Sequence, residues 1–347
     1  MTEDKSDSPR PSPGTGTDTG STPGAILAVE ARGLVKTFGT NRAVDGIDLV
    51  VHEGEIFCVL GPNGAGKTTM LQMLATLLPI ESGSAAIFGY DVRRQPHAVR
   101  QLIGVTGQYA SVDELLTGRE NLRLFGLLQG LSSKEARSIG DDLLARFDLT
   151  EAADRYVMHY SGGMRRRLDL AASLMTRPAL IFLDEPTTGL DPRTRGQMWE
   201  TIRRLVADGC TILLTTQYLD EADQLADRIA VIDRGRKVAE GTSAELKAQV
   251  GGSSLRVQLA DGADARAASV VAGEVSRHVP VLFPTGTGFS VSLSDANVAA
   301  DVLIALRQGS LDIVNAAIQQ PTLDEVFMAL TGHASATFTP EPEGSAA

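Results

Sequence analysis

Between residues 56 and 78 the hydrophobic pattern changes period across a run of glycines. Ile56 to Leu60 is an unbroken apolar run of strand character, and beyond Lys67 the residues Met70, Leu71, Met73, Leu74, Leu77 and Leu78 recur at the spacing of a buried helix face. The connecting segment is Gly61-Pro62-Asn63-Gly64-Ala65-Gly66-Lys67-Thr68-Thr69, which satisfies G-x-x-x-x-G-K-S/T in the strand-then-helix setting that gives the pattern meaning. Glycines without a Cβ let successive N–H groups point inward, and a helix N-terminus adds partial positive charge where phosphates would sit. In such a loop Lys67 supplies a cation for the β and γ oxygens, Thr68 a hydroxyl for Mg²⁺, and Thr69 a further donor. A chance glycine turn followed by Lys-Thr is the competing reading, and the flanking strand and helix argue against it.

A second pattern, this one acidic, lies further along. The apolar run Leu180-Ile181-Phe182-Leu183 ends in Asp184 and Glu185, at the carboxyl end of a strand, where open α/β sheets place their ligands. Asp184 would hold Mg²⁺ opposite Thr68, and Glu185 would polarise an attacking water. Taken without the glycine loop, Leu-Asp-Glu-Pro could equally be a helix entry. Tyr160-Ser161-Gly162-Gly163-Met164 is a further glycine pair with a serine before it at a helix start. Its chemistry is that of another phosphate cradle, and a cradle without a phosphate in its own subunit implies a second copy of the chain.

Composition bounds the class. The 347 residues are 43% hydrophobic and 22% charged, as in a soluble protein of one large or two ordinary domains. A net charge of -11 opposes general nucleic-acid binding, and the tight basic cluster Arg165-Arg166-Arg167 is expected to be a solvated helix face. Cys58 and Cys210 sit in or beside apolar runs and read as buried thiols of a reduced, cytosolic chain; the five histidines make no metal-ligand spacing with them. No run approaches the ~20 apolar residues that cross a bilayer, so a membrane role would have to come from a partner.

Residues 1–27 are Ser, Thr, Pro, Gly and Asp and read as a disordered tail, as do residues 333–347. Between them, Ala28 to Phe38 and Ala43 to Val51 alternate as paired strands. Ala85 to Phe88 and Leu102 to Thr106 are strand-like, and Leu115 to Leu149 is largely helical. A βα rhythm comes next: a helix from Ser161 to about Met175, strand Leu180 to Leu183, helix Arg193 to Ala207, strand Thr211 to Thr215, strands Ile229 to Ile232 and Lys237 to Glu240, and a helix ending near Val250. Gly251 to Ser254 looks like a linker. Beyond it Leu255 to Leu259, Phe289 to Leu293 and Ile313 to Ile318 are strand-like, with helices at Ala296 to Leu306 and Leu323 to Leu330, which reads as a small α+β domain of a βαββαβ kind.

In order and spacing these motifs resemble the ATP-binding subunits of ABC transporters over about residues 28 to 250. The expected fold is therefore α/β, a P-loop NTPase of the ABC ATPase type with an antiparallel β subdomain and a helical subdomain, over residues 28–250, followed by a small α+β accessory domain over 251–332. The resemblance implies two subunits sandwiching two ATP molecules, with Phe38 on the adenine, Gln108 sensing Mg²⁺ and water, and Ser161, Gly162 and Gly163 on the partner's γ-phosphate. It places Asp191, in Gly189-Leu190-Asp191, as the bridge between the two sites. Two positions depart from the family pattern. Tyr160 and Met164 flank the signature serine and glycines where Leu and Gln are common, and Gln217 stands where most members carry the switch histidine. A glutamine amide can donate to phosphate but cannot become cationic.

A narrower likeness lies in Ser161 to Leu170 (Ser-Gly-Gly-Met-Arg-Arg-Arg-Leu-Asp-Leu), Thr216-Gln217-Tyr218-Leu219 and Leu323-Asp324-Glu325-Val326-Phe327. It is to the daunorubicin-resistance type, which exports hydrophobic drugs or metabolites. That likeness implies an ATPase that uses ATP and Mg²⁺, forms a homodimer, and powers a separate integral membrane permease from the cytoplasmic face of the membrane, without nucleic acid. The competing class is a soluble, non-transport ABC ATPase with a regulatory or ribosome-associated role.

Overall fold

A computed structural model of the chain describes residues 27–107, 111–250, 253–260, 264–283, 285–319 and 321–331. The expected tails fall outside these residues, except that Leu27 already belongs to the first strand. β1 (Leu27–Phe38) and β2 (Asn41–His52) pair antiparallel with Phe38 opposite Asn41. β3 (Ile56–Leu60) is buried at every residue, as a strand flanked on both faces must be. Burial pushes the Cys58 thiol in its middle well above its ordinary value, so it behaves as a small apolar side chain.

α1 (Lys67–Leu74) is shorter than the apolar period suggested. Thr76 takes a left-handed φ of 62°, which ends the helical path, and Leu77 beyond it is 65% exposed. β4 (Ser82–Ile87), β5 (Tyr90–Asp91), α2 (Pro96–Leu102) and β6 (Ile103–Thr106) follow. The helical stretch resolves into α3 (Gly118–Leu128) and α4 (Ser133–Arg146), each opened by a complete capping box, Thr117 with Glu120 and Ser132 with Glu135. Two short 3-10 turns lead to α5 (Gly162–Ser173), whose N-cap is Ser161 as expected. Then come β7 (Leu180–Asp184), α6 (Pro192–Ala207), β8 (Thr211–Thr216), α7 (Leu219–Leu225), β9 (Arg228–Asp233), β10 (Arg236–Gly241) and α8 (Ser243–Val250). The chain closes with β11 (Ser254–Leu259), α9 (Ala265–Ser276), β12 (Val281–Leu282), β13 (Gly288–Ser292), α10 (Ala296–Gln308), β14 (Ile313–Gln319) and α11 (Leu323–Thr331).

The chain divides into two compact units, one of Met1–Glu55 with Thr68–Leu213, the other of Ile56–Lys67 with Leu214–Ala347. The first holds the antiparallel sheet β2-β1-β4-β5 and the parallel pair β6 and β7, in register from Ile103 opposite Leu180 to Thr106 opposite Leu183. Within the second unit the order is β10-β9-β3, with β3 parallel to β9 from Phe57 opposite Arg228 to Leu60 opposite Val231. Parallel neighbours of this kind bring the carboxyl ends of the strands to one edge.

The second unit also contains the C-terminal sheet, ordered β12-β13-β11-β14 and antiparallel throughout its described pairs. With α9 between β11 and β12 and α10 between β13 and β14, this is the βαββαβ arrangement. Its core joins Leu255, Val257 and Leu259 to Phe289, Val291, Ala268, Ala272, Val302 and Leu306. Ser254 pairs with both Ser292 and Gln319, so the expected linker has become strand by that residue. α11 takes no part in that core; it packs on α7, α8 and β10, burying Leu323, Val326 and Phe327.

Candidate nucleotide site

The glycine loop belongs to the second unit. A Cβ on Gly61 would lie 2.2 Å from the Ile232 carbonyl oxygen, so only glycine lets the loop leave β3 so close to the end of β9. Gly64 and Gly66 take φ of 79° and 100°, the left-handed turns that curl the main chain. The loop is buttressed from outside: the Gly61 N–H donates to Thr216 O (3.2 Å) and the Gly235 N–H to Ala65 O (3.0 Å). Lys67, 4% exposed, donates from Nζ to Gly61 O (2.9 Å) and Pro62 O (3.1 Å), which holds the ammonium inside the curl. Pro62, Asn63 and Ala65 complete the loop, with Asn63 exposed at its tip. Gln217 is half-buried just past β8. The N-cap of the helix after it is Tyr218, which makes no side-chain cap bond, so Gln217 is not the capping residue.

The first unit brings Thr68 to Asp184. The hydroxyl donates to Asp184 Oδ1 at 3.1 Å, while Thr69 beside it is half-buried. Asp184 and Glu185 are 4% and 7% exposed at the end of β7. Glu185 is held at φ 47°, a left-handed conformation rare for a side chain of its size, and the Thr188 hydroxyl donates to its Oε2 at 3.2 Å. Ser161 accepts the Met164 N–H at 3.3 Å, and Gly162 has open space where a Cβ would stand. Asp191 caps α6: it accepts the Thr194 N–H (3.0 Å) and hydroxyl (2.6 Å), and these bonds hold its carboxyl below the usual aspartate range. Of the departures from the family pattern, Tyr160 is buried with its hydroxyl on Ala152 O (2.7 Å), a packing role that leaves the serine and glycines free of it. Phe38 is 49% exposed at the end of β1, with the Lys36 ammonium 5.7 Å from its ring centroid, so it is a surface aromatic and not core. Gln108 lies outside the described residues.

The basic cluster on α5 is not the solvated face expected of it. Arg165 donates to Val157 O and Met158 O and pairs with Glu114, Arg167 donates to Phe147 O, and Arg166 is 8% exposed. The Arg166 guanidinium donates to Gly107 O (2.6 Å), Asp184 O (3.0 Å), Pro186 O (3.0 Å) and Glu185 O (3.3 Å). Asp169 lies one turn on, 4% exposed; it accepts the Ser111 N–H at 2.7 Å and faces Arg166 at 3.7 Å. Burial pushes its carboxyl above the usual range despite that N–H and the arginine. Gly163, Arg166 and Asp169, three residues apart, fall on one buried face of the helix.

These residues fit a magnesium nucleotide. A half-buried hydroxyl and a buried carboxylate in contact form a hard oxygen pair suited to Mg²⁺, and the glycine curl around an ammonium suits phosphate oxygens. A loop of this kind with this acidic strand end defines an ATP-hydrolysing P-loop protein. Residues 44–188 match the ABC transporter family, and residues 241–331 match the C-terminal domain of ATP-binding proteins of the DrrA1-3-like kind. The daunorubicin/doxorubicin resistance ATP-binding protein DrrA of Streptomyces peucetius is 52% identical over 88% of this chain and 93% of its own. The doxorubicin resistance ATP-binding protein DrrA of Mycobacterium tuberculosis is 42% identical over 92% of this chain and 98% of its own. The dimeric ATP-binding cassette MJ0796, solved in a post-hydrolysis state with ADP and Pi, superposes with a TM-score of 0.57 at 26% identity over 62% of this chain and 98% of that one. The chain belongs to the ATP-binding subunits of ABC transporters, and among them to the daunorubicin/doxorubicin-resistance type. It is an ATPase that uses ATP with Mg²⁺.

Proposed function

We propose that two copies of this chain close on ATP and that hydrolysis drives export of a hydrophobic drug or metabolite through a separate membrane-spanning permease at the cytoplasmic face of the membrane. The observation that carries the reading is the Thr68–Asp184 contact at the buried end of β7, with Glu185 next in the chain. Among the described residues no helix is long and apolar enough to cross a membrane, so a transport path calls for a partner. The drug-resistance relatives support the export role, and the dimeric cassette supports assembly in pairs.

In this reading the N–H groups from Asn63 to Thr69 line the phosphates, and Lys67 turns its ammonium from Gly61 O and Pro62 O toward the β and γ oxygens. Thr68, Asp184 and Gln108 would hold the magnesium ion, which when bound would withdraw charge from those oxygens. Glu185 orients the attacking water, and Gln217 donates its amide N–H toward the γ-phosphate. Phe38 stacks on adenine, Ser161, Gly162 and Gly163 meet the partner's γ-phosphate, and Asp191 joins the two sites.

Two variants test the site. Glu185→Gln should abolish turnover and keep ATP, giving a dimer on size-exclusion chromatography, whereas Lys67→Ala should lose affinity for ATP and stay monomeric. Full activity in Glu185→Gln would refute the assignment. Export is tested by coexpressing the chain with its membrane partner and measuring anthracycline efflux, which Glu185→Gln should eliminate.

A further inference from the structure

The helix α5 begins at the Ser161-Gly162-Gly163 turn and carries Arg166 one turn further on. That guanidinium is buried against backbone, its fork spread over Gly107 O, Asp184 O, Glu185 O and Pro186 O. Three of these carbonyls belong to consecutive residues, and two of those residues carry the carboxylates at the end of β7. A planar guanidinium with five N–H donors in fixed directions can bind such a row, whereas an ammonium offers three donors from one point. Asp169 completes the arrangement by facing Arg166 and taking the Ser111 N–H. A buried ion pair is a weak source of stability compared with an apolar filling of the same space, so its value lies in the geometry it imposes.

We infer that Arg166 is a positioning residue for hydrolysis. It aims the Asp184 and Glu185 carboxyls through their own backbone and ties that backbone to the start of α5. The inference rests on the proposed function, in which Ser161, Gly162 and Gly163 face the partner's nucleotide. A ligand seated there sets the position of α5, and Arg166 transmits that position to Glu185 of the same chain. Each site therefore becomes competent only when the opposite nucleotide is in place. Arg166 touches no nucleotide; it acts through Glu185, with Asp169 fixing the guanidinium from behind.

The test compares full-length wild type, Arg166→Lys, Asp169→Asn and Glu185→Gln in steady-state ATP hydrolysis, binding of a fluorescent ATP analogue, and thermal melting. Arg166→Lys should lower kcat about tenfold or more with KM and analogue affinity within about twofold of wild type, because only aim is lost. Its Hill coefficient for ATP should fall toward unity, and its melting temperature should fall by only a few degrees, for the carbonyl bonds that the ammonium does not keep. Asp169→Asn should move kcat the same way by a smaller factor. Wild-type kcat and cooperativity in Arg166→Lys, or a loss of kcat matched by an equal loss of ATP affinity, would overturn the inference while the functional reading stood. If one variant fails to fold, the other decides; failure of both assigns the pair to stability and overturns the positioning role. A wild-type chain that neither binds nor hydrolyses ATP would overturn the functional reading, and this inference with it.

Discussion

Gly163 rests directly on Thr194: a Cβ on the glycine would stand 2.3 Å from the threonine Cγ2. Thr194 cannot swing away freely, because its hydroxyl is bound to Asp191 Oδ2 at 2.6 Å and its N–H to Oδ1 at 3.0 Å. The start of α5 is thus gauged against the start of α6 by the absence of a side chain.

That contact separates two substitutions that look alike in sequence. Gly163→Ala forces a methyl into the Thr194 side chain and should cost about 1–3 kcal/mol as overpacking. Gly162→Ala meets open space and should gain up to about 1 kcal/mol from helix propensity. Thermal melting of the two variants should therefore shift in opposite directions, while ATP hydrolysis falls in both. Equal melting shifts would count against the described packing.

The half-buried Gln217 precedes an N-cap, Tyr218, that makes no side-chain cap bond, so removing its amide should disturb stability by no more than about 0.5 kcal/mol. Gln217→Ala should nevertheless lower kcat more than it raises KM for ATP, and Gln217→His should stay active and acquire a pH dependence near neutrality. Unchanged hydrolysis in Gln217→Ala would remove Gln217 from the catalytic set.

Asp223 on α7 is tied to α8 by Lys247 Nζ at 2.6 and 2.8 Å and by the Ser243 hydroxyl. Burial alone would raise its carboxyl; the Lys247 and Ser243 bonds overcome that and hold it below the usual aspartate range. A depressed folded value means that the stabilisation is present above the unfolded pKa of about 3.9 and is lost as pH falls through the folded value. Asp223→Asn should accordingly be less stable than wild type in urea at pH 7, by something near 1 kcal/mol or less for a partly exposed pair, with about the same midpoint once pH has fallen below the folded value. A gap that persists at low pH would mean that the ion pair is not its source.

α11 presents a sharper contrast between neighbours. Phe327 is 6% exposed and Met328 is 50% exposed. Phe327→Ala should cost about 3 kcal/mol or more, and Met328→Ala about 0.5 kcal/mol or less, by chemical denaturation. Comparable losses would show that the helix does not pack on α7 and α8 as described.

Much of this was legible because it is local. The Gly61 to Thr69 loop, the apolar runs of β3 and β7, and the Ser161 cap each declare themselves within a few residues. The burial of Arg166 did not, since its partners are carbonyls 18 to 20 residues away at Asp184 to Pro186, and at Gly107, and a carbonyl leaves no mark in the sequence. α9 passed unrecognised because its inner face is Ala265, Ala268 and Ala272, too small to make a strong apolar period, and β12 because it has two residues. The end of α1 was missed for a different reason: Leu77 and Leu78 continue the helical period, while the left-handed turn at Thr76 has no propensity signature.

The backbone at Glu185 has a last consequence. A left-handed residue with a long side chain costs roughly 1 kcal/mol or more that glycine would not. Folding alone would thus favour glycine at 185, and a Glu185→Gly chain should melt higher than the parent while turning over no ATP. In a lineage that no longer needed the enzyme, this is a position where drift would meet no resistance from stability.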